Sequence, residues 1–312
     1  MKILVPDIVE FLDDVDPRAD VVLYDPTQPI PVEHRDAEVF VAWGNSSENL
    51  ASAAQLPELR FVQALSAGAE KITGAGFADD VVIANGSGVH DRTVTEHAVT
   101  LALALVRRLP ASARAQREHV WSRELGGVHL MRPEGAVTSL VRARVLIWGF
   151  GNIGQNLARV LDALGAEVRG VARSEGERSG FPVIAEQRIN EVLPETDVLI
   201  MILPGVESTR NALGAERLAL LPDHAYVVNV GRGTTIDEAA LVDALESGSI
   251  AGAGLDVTAV EPLPADSPLW DAKNLILTPH AAGGRADLGA QLIHENLAAY
   301  LDGTPLKNVI ER

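Results

Sequence analysis

The segment VLIWGFGNIGQNLARVLDALG (145–165) decides how the chain folds. An apolar run of strand character reaches Gly149, and Gly149, Gly151 and Gly154 make G-x-G-x-x-G at a strand-to-helix turn. The helix beyond carries Ile153, Leu157, Leu161 and Leu164 at helical spacing and stops at Gly165. Glycines at these places permit a tight turn, close approach of a pyrophosphate and close packing of helix on strand. The helix N-terminus then presents unpaired N–H groups to the phosphates, with Asn152 and Ile153 at the turn. A bare glycine fingerprint is weak, but directly after a buried strand it points to a dinucleotide site.

Outward from this turn, short β-branched runs alternate with helical stretches. RVLIWGF (144–150), EVRGVAR (167–173), DVLIMILP (197–204), AYVVNVG (225–231), AGLDV (253–257) and NLILTPH (274–280) are nearly continuous apolar runs. Such runs suit a parallel sheet covered on both faces. An earlier series, KILVP (2–6), VVLY (21–24), EVFVAW (38–43), RFVQAL (60–65) and VVIAN (81–85), is bounded by Pro, Gly, Asn or Asp. The fold class is therefore α/β, with two doubly wound parallel-sheet domains: a Rossmann cofactor domain inserted in a flavodoxin-like substrate domain. The expected boundaries put residues 1–92 and 286–312 in the substrate domain and 93–285 in the dinucleotide-binding domain. A helix over about 93–108 leaves the first domain, and Asp287 is expected to cap a returning helix that ends at Gly303. Residues 109–140, with Gly126, Gly127, Pro133 and Gly135, read as an irregular excursion.

Composition removes several classes of function. The 26 basic and 43 acidic residues leave a net charge of −17, the wrong sign for wrapping nucleic acid or an anionic membrane surface. The absence of cysteine excludes disulfides, zinc–cysteine and iron–sulfur sites and a thiol nucleophile. The start, MKILVPDIVEFLDD, lacks the order of a signal peptide. The longest apolar stretch, Ala98 to Val106, falls short of the roughly 20 residues that span a membrane. A cytoplasmic protein is expected. The 8 histidines show no H-E-x-x-H or other tight ligand spacing, so no metal site is expected. His97, on an apolar helix, reads as packed or interfacial. Neither a G-x-S-x-G elbow nor a phosphate loop of the G-x-x-x-x-G-K-[ST] type is present.

The second cofactor-domain strand bears on the choice of nucleotide. An NAD-type site places an acid about 20 residues beyond the glycines, on the ribose 2′-OH. Here the strand ends Val171-Ala172-Arg173-Ser174, with Ala172 where the acid would stand. Arg173 and Ser174 suit a 2′-phosphate, although Arg173 is also explained as a solvated loop charge near Glu175 and Glu177. NADP is favoured, and NAD remains open.

Three later segments place polar residues at strand ends, where parallel sheets hold their ligands. VVNVGRG (227–233) brings Arg232, GLDVTAVEPLP (254–264) brings Asp256 and Glu261, and LTPHAAGG (277–284) brings His280. Singly, each has a plain reading as a surface ion pair, a strand-end cap, a solvated loop acid or a structural histidine. Together, in this order, they resemble the D-isomer-specific 2-hydroxyacid dehydrogenase family. LSAGAEKI (65–72) resembles the family's substrate loop and VTEHAVTLALAL (94–105) its inter-domain helix, so the likeness runs over nearly the whole chain.

The resemblance implies that His280 exchanges a proton with the substrate oxygen, that Glu261 orients and charges the imidazole, and that Arg232 binds the carboxylate. It implies main-chain donors to that carboxylate at Ala67 and Gly68. Leu203 and Pro204 would lie near the adenosine side, and Val230 and Gly231 would flank the nicotinamide. Asp256 would contact the carboxamide, and the His280–Gly283 stretch would close the site. It also implies a homodimer acting on a small 2-keto or 2-hydroxy acid. Departures from the pattern are the missing ribose acid, Trp148 before the first glycine, and Arg285 in GGRADLG. The ending at PLKNVIER and the NADP-like strand end resemble the glyoxylate/hydroxypyruvate reductase branch. The alternatives are a short NAD-dependent D-3-phosphoglycerate dehydrogenase, for which the substrate loop offers only Lys71, and a nicotinamide-sensing binding protein of the same fold.

Overall fold

A computed structural model describes residues 1–10, 13–68 and 70–311, apart from the side chain of Glu134. Ala69, within the expected substrate loop, lies outside them. In chain order, the first stretch carries β1 (Lys2–Pro6), β2 (Asp20–Tyr24), β3 (Val39–Ala42), α1 (Ser47–Ala53), β4 (Phe61–Ala64), α2 (Glu70–Thr73) and β5 (Val82–Ala84). Next come α3 (Asp91–Val106), α4 (Leu109–Arg117), β6 (Arg144–Trp148), α5 (Asn152–Ala163), β7 (Glu167–Ala172), β8 (Gly176–Arg178) and β9 (Phe181–Ala185). The chain continues through α6 (Ile189–Val192), β10 (Val198–Met201), α7 (Ala215–Leu218), β11 (Tyr226–Asn229), α8 (Glu238–Ser247), β12 (Gly252–Leu255), β13 (Leu275–Leu277) and α9 (Gly289–Asp302).

Two compact units result, Met1–His90 with Arg285–Arg312, and Asp91–Gly284. The first has a five-stranded sheet of order β2-β1-β3-β4-β5, all parallel, which is the flavodoxin-like order. Alternate residues of its strands face opposite layers. Leu4, Phe40 and Val62 enter one core, and Ile3, Val5, Val39, Val41 and Phe61 enter the other with Ile293 and Leu297 of α9. The returning helix is tied to the sheet by Asn296 Nδ2, which donates to Gln63 Oε1 at 2.5 Å. The tail then bridges the sheet edge, where Ile310 N donates to Ile83 O.

The second unit holds an eight-stranded sheet of order β13-β12-β11-β10-β6-β7-β9-β8. Leaving aside β8, this is the Rossmann order, reversing between β6 and β10. Val145 and Ile147 pack in one layer with Leu157 and Leu161 of α5, while Leu146 and Trp148 pack in the other. That alternation accounts for Trp148: its ring is buried on the face away from α5, with Nε1 donating to Glu186 Oε1 at 3.2 Å and the Arg217 guanidinium 5.3 Å above it.

Several local expectations are corrected. The hairpin β8–β9 was not anticipated; β9 pairs parallel with β7 and antiparallel with β8. The N-cap of α9 is Leu288, without a side-chain cap, so Asp287 does not fill that role. The helix expected over about 93–108 begins at Asp91 and ends at Val106, and α4 follows Arg108, whose φ is +51°. Leu164 caps α5 and is exposed instead of joining its apolar stripe.

Candidate active site

The glycines of the β6–α5 turn have three different physical reasons. Gly149 has φ +105°, and a Cβ there would lie 2.5 Å from the Ile202 carbonyl oxygen of the neighbouring strand end. A Cβ at Gly154 would lie 2.6 Å from Gly149 O, so its absence lets α5 pack onto the turn. At Gly151 a Cβ would meet nothing within 4 Å. The space on its side is a cradle that a side chain would fill, and Gly151, as N-cap of α5, spends no side chain on the first amides. Asn152 and Ile153 open the helix at this point. Bare main chain, a helix start and open room are what dinucleotide phosphates require, so these residues fit the cofactor. Gly170 contributes indirectly: it alone leaves room for the Phe150 ring, 2.4 Å from where its Cβ would be.

At the end of β7, Arg173 and Ser174 are exposed. A third residue joins them that the sequence reading missed. Arg178 of β8 donates from Nη2 to Ser174 Oγ at 3.0 Å and from Nη1 to Phe150 O at 3.1 Å. It reaches this place because the hairpin folds back beside β7. A fingerprint search that stops at the strand end has no reason to include it.

The remaining residues occupy the ends of the adjacent strands β10 to β13. Leu203 and Val230 are buried and Pro204 is exposed. A Cβ at Gly231 would lie 2.7 Å from both N and O of Leu203, so two loops meet there with no room between them. Arg232 follows β11 and is half-buried, its carbonyl accepting from Asn229 Nδ2 at 3.0 Å and Thr235 Oγ1 at 2.6 Å. Its side-chain stem runs beside Gly205, where a Cβ would approach Arg232 Cγ to 3.1 Å.

Glu261 and His280 meet directly. His280 Nδ1 lies 2.7 Å from Glu261 Oε2, and the side chains are 45 % and 38 % exposed, open to an incoming molecule. That bond makes Nδ1–H the donor and leaves Nε2 to face the reactant. Asp256, for which the resemblance implied a carboxamide contact, directly follows β12. It is buried, and its carboxylate accepts from Thr278 Oγ1 at 2.6 Å, Ala281 N at 2.8 Å and Ala282 N at 3.0 Å. Its carbonyl accepts from His280 N at 2.7 Å. Asp256 thus holds the backbone around His280, whose φ of +51° lies in the left-handed region. His97, half-buried on α3, closes the cluster with Nε2 at 2.9 Å from Thr278 Oγ1 and 3.1 Å from Asp256 Oδ1. Gly283 lies in the turn just beyond Ala282.

Ala67 and Gly68 belong to the other unit, past the C-terminal end of β4, where Ser66 Oγ donates to Gly68 O at 2.9 Å. Arg285 is also in that unit, its carbonyl 3.2 Å from His90 Nδ1. Among the described residues, no three His, Cys, Asp or Glu side chains converge as a metal site, and no helix is long and apolar enough to cross a membrane.

The family description "D-isomer specific 2-hydroxyacid dehydrogenase, NAD binding domain" matches residues 99–282. Glyoxylate reductase of Aeropyrum pernix is 32% identical over 304 residues, covering 94% of this chain and 90% of that protein. Glycerate dehydrogenase of Methylorubrum extorquens is 31% identical, covering 82% and 80%. Among solved structures, a D-isomer specific 2-hydroxyacid dehydrogenase family protein from Aeromonas salmonicida superposes with a TM-score of 0.84 at 29% identity over 99% of this chain and 98% of that one. An NADPH-dependent glyoxylate/hydroxypyruvate reductase from Sinorhizobium meliloti, in complex with NADP and sulfate, gives 0.80 at 25% identity over 99% and 98%. By the matched family description and these relatives, the chain belongs to the D-isomer-specific 2-hydroxyacid dehydrogenases.

Proposed function

We propose that this protein reduces a small 2-keto acid of the glyoxylate or hydroxypyruvate type to its D-2-hydroxy acid, with NADPH preferred over NADH. The observation that carries the reading is the exposed His280–Glu261 pair at 2.7 Å, on the same sheet edge as Arg232. The nicotinamide, when bound, supplies the hydride. His280 holds at Nε2 the proton passed to the substrate oxygen, and in the reverse direction takes it back. Glu261 fixes the ring and stabilises the imidazolium through Nδ1–H. Arg232 brings a planar fork matched to the substrate carboxylate, and Ala67 and Gly68 are assigned main-chain donors to the same group. Leu203, Pro204, Val230, Gly231 and Gly283 would line the cofactor.

The preference for NADPH is supported by Arg173, Ser174 and Arg178 at the β7 end, with Ala172 in place of an acid. Two guanidiniums beside a hydroxyl suit a dianionic 2′-phosphate. The reductase from Sinorhizobium meliloti, similar over nearly the full chain, was solved with NADP. Dependence on the nicotinamide pool accords with the cytoplasmic location expected above.

The molecule is also assigned a homodimeric state. The stretch between α4 and β6 presents Trp121 at 95 % and Leu130 at 75 % exposure, with Val120, Val128 and Met131 also exposed. An apolar patch of this kind on one segment marks an association surface. A monomeric mass by light scattering at micromolar concentration would overturn the assignment.

The experiment that tests the reading is oxidation of NADPH and of NADH by the purified protein and by His280→Ala. The acceptors are glyoxylate, hydroxypyruvate and 3-phosphohydroxypyruvate. Turnover of the two small acids with NADPH, lost in the variant, is expected. A preference for NADH and the phosphorylated acid moves the activity to D-3-phosphoglycerate dehydrogenase. Cofactor binding without turnover of any of the three moves it to a nicotinamide sensor.

A further inference from the structure

The turn that carries Glu261 is held from outside by a second carboxylate. Within the turn, Thr258 N donates to Glu261 Oε1 at 3.1 Å and Thr258 Oγ1 donates to Val260 O at 2.9 Å. The next amide, Ala259 N, donates instead to Glu238 Oε1 at 2.6 Å. Successive amides are thus each taken by a different carboxylate. Glu238 is the first residue of α8, a helix started by Asp237, whose side chain accepts from Ala240 N at 3.1 Å. Leu241 and Leu245 bury the same helix in the core. On the inner side the turn lies directly on Gly233, where a Cβ would fall 1.9 Å from the Thr258 carbonyl carbon.

We propose that Glu238 is a positioning residue for the His280–Glu261 pair. Ala259 and Val260 at its tip are exposed, whereas Val257 before the turn is buried and Leu263 after it packs on the core, so the core holds the ends of the turn and not its tip. Its contact with Gly233 stops it moving inward, and the bond from Ala259 N to Glu238 ties its exposed tip to α8. Glu261 must span Thr258 N and His280 Nδ1 with its two oxygens, and a turn that pivots loses the second of these. Charge-assisted bonds from a main-chain amide are the short, strong kind suited to that task. Glu238 itself touches neither ring nor reactant; it acts through the placement of Glu261.

This inference rests on the acid–base reading of His280, so Glu238→Ala, Glu238→Gln and His280→Ala are measured together with the unaltered enzyme. Glu238→Ala is expected to lower kcat about ten- to a hundredfold, the cost of a small misplacement of a catalytic group. The KM for NADPH should stay within about twofold, since the glycine turn is untouched. Glu238→Gln keeps an oxygen that accepts from Ala259 N and should recover most of the rate. The limb of the kcat/KM pH profile that belongs to the His280–Glu261 pair should move in the alanine variant and return in the glutamine one. Wild-type kcat and pH profile in Glu238→Ala, or a glutamine variant as impaired as the alanine one, would overturn the proposal. If Glu238→Ala does not fold, the glutamine variant carries the test: a rate well below wild type in a folded protein overturns it. Full turnover in His280→Ala would instead overturn the acid–base reading beneath it.

Discussion

His280 Nδ1 and Glu261 Oε2 stand 2.7 Å apart although the residues leave the ends of different strands, β13 and β12. The histidine backbone is in the left-handed region, which costs a non-glycine residue about 1 kcal/mol or more. Three hydrogen bonds to Asp256, from the amides of His280, Ala281 and Ala282, offset that cost. Replacing His280 by alanine should lower kcat about a hundred- to ten-thousandfold, the range for a lost general acid. NADPH binding, followed by cofactor fluorescence, should be unchanged. Glu261→Gln should give a smaller loss, because the amide oxygen still accepts from Nδ1–H but carries no charge.

Asp256 separates orientation from cofactor contact. An Asp256→Asn side chain can turn only one oxygen towards donors that now occupy both. The expected result is a loss in kcat together with a lower thermal midpoint, the NADPH dissociation constant rising little. A large rise in that constant with kcat retained would show that the carboxamide contact implied by the resemblance dominates.

Two glycines of the turn should fail in different ways. Gly154→Ala drives a methyl against Gly149 O, so it should destabilise the fold by roughly 1–3 kcal/mol, read by urea denaturation. Gly151→Ala meets no protein atom; it should melt like the unaltered protein and bind NADPH at least tenfold more weakly. Equal cofactor affinity in Gly151→Ala would show that the phosphates do not lie on that side.

Both sheets were legible because parallel strands buried on two faces read as continuous apolar runs with hard punctuation. RVLIW and VLIM are such runs, and both form strands. The hairpin β8–β9 was not legible: GER and FPVIA are short, the first is polar, and they become strands by pairing with β7, a tertiary cause with no local signature. Arg178 was missed for the same reason. Arg232, Glu261 and His280 stood out because residue type and strand-end position coincide. The supports around them, Thr278, His97 and Glu238, reach the Asp256 carboxylate and the Ala259 amide from segments distant in sequence, and hydrogen bonds of that kind impose no spacing. Asp287 looked like a cap by residue type, yet α9 starts after Leu288, whose side chain makes no capping hydrogen bond.

Arg173 and Arg178 should be separable by nucleotide. Arg173 is exposed at the strand end, whereas Arg178 also braces Ser174 and the glycine turn through Phe150 O. Arg173→Ala should raise the KM for NADPH about ten- to a hundredfold and leave that for NADH nearly unchanged, since only the 2′-phosphate loses a partner. Arg178→Ala should weaken both nucleotides, NADPH more. Equal KM values for NADPH before and after Arg173→Ala would return Arg173 to the role of a solvated loop charge.

Asp197, just ahead of β10, ties the segment between α4 and β6 to the sheet. Its buried carboxylate accepts from Arg132 Nη1 at 3.0 Å and from Arg144 N at 2.7 Å and Nη2 at 2.8 Å, with His224 Nε2 at 3.1 Å. Burial alone would push its carboxyl up, but the two guanidiniums outweigh that and hold it well below the usual carboxylate range. A depressed folded value means that the stabilisation is complete above the unfolded value of about 4 and is lost as pH falls below it. Asp197→Asn should therefore cost about 1–3 kcal/mol at pH 7, less than a fully buried pair because water screens both arginines. The gap between variant and unaltered protein should narrow as pH falls from 4 towards 2, read from urea melts across that range. Proteolysis near Trp121 should also quicken in the variant, because Arg132 ends the apolar stretch and Asp197 is its anchor. A gap that stays constant through the acid range would assign the stabilisation to packing and not to the charge on Asp197.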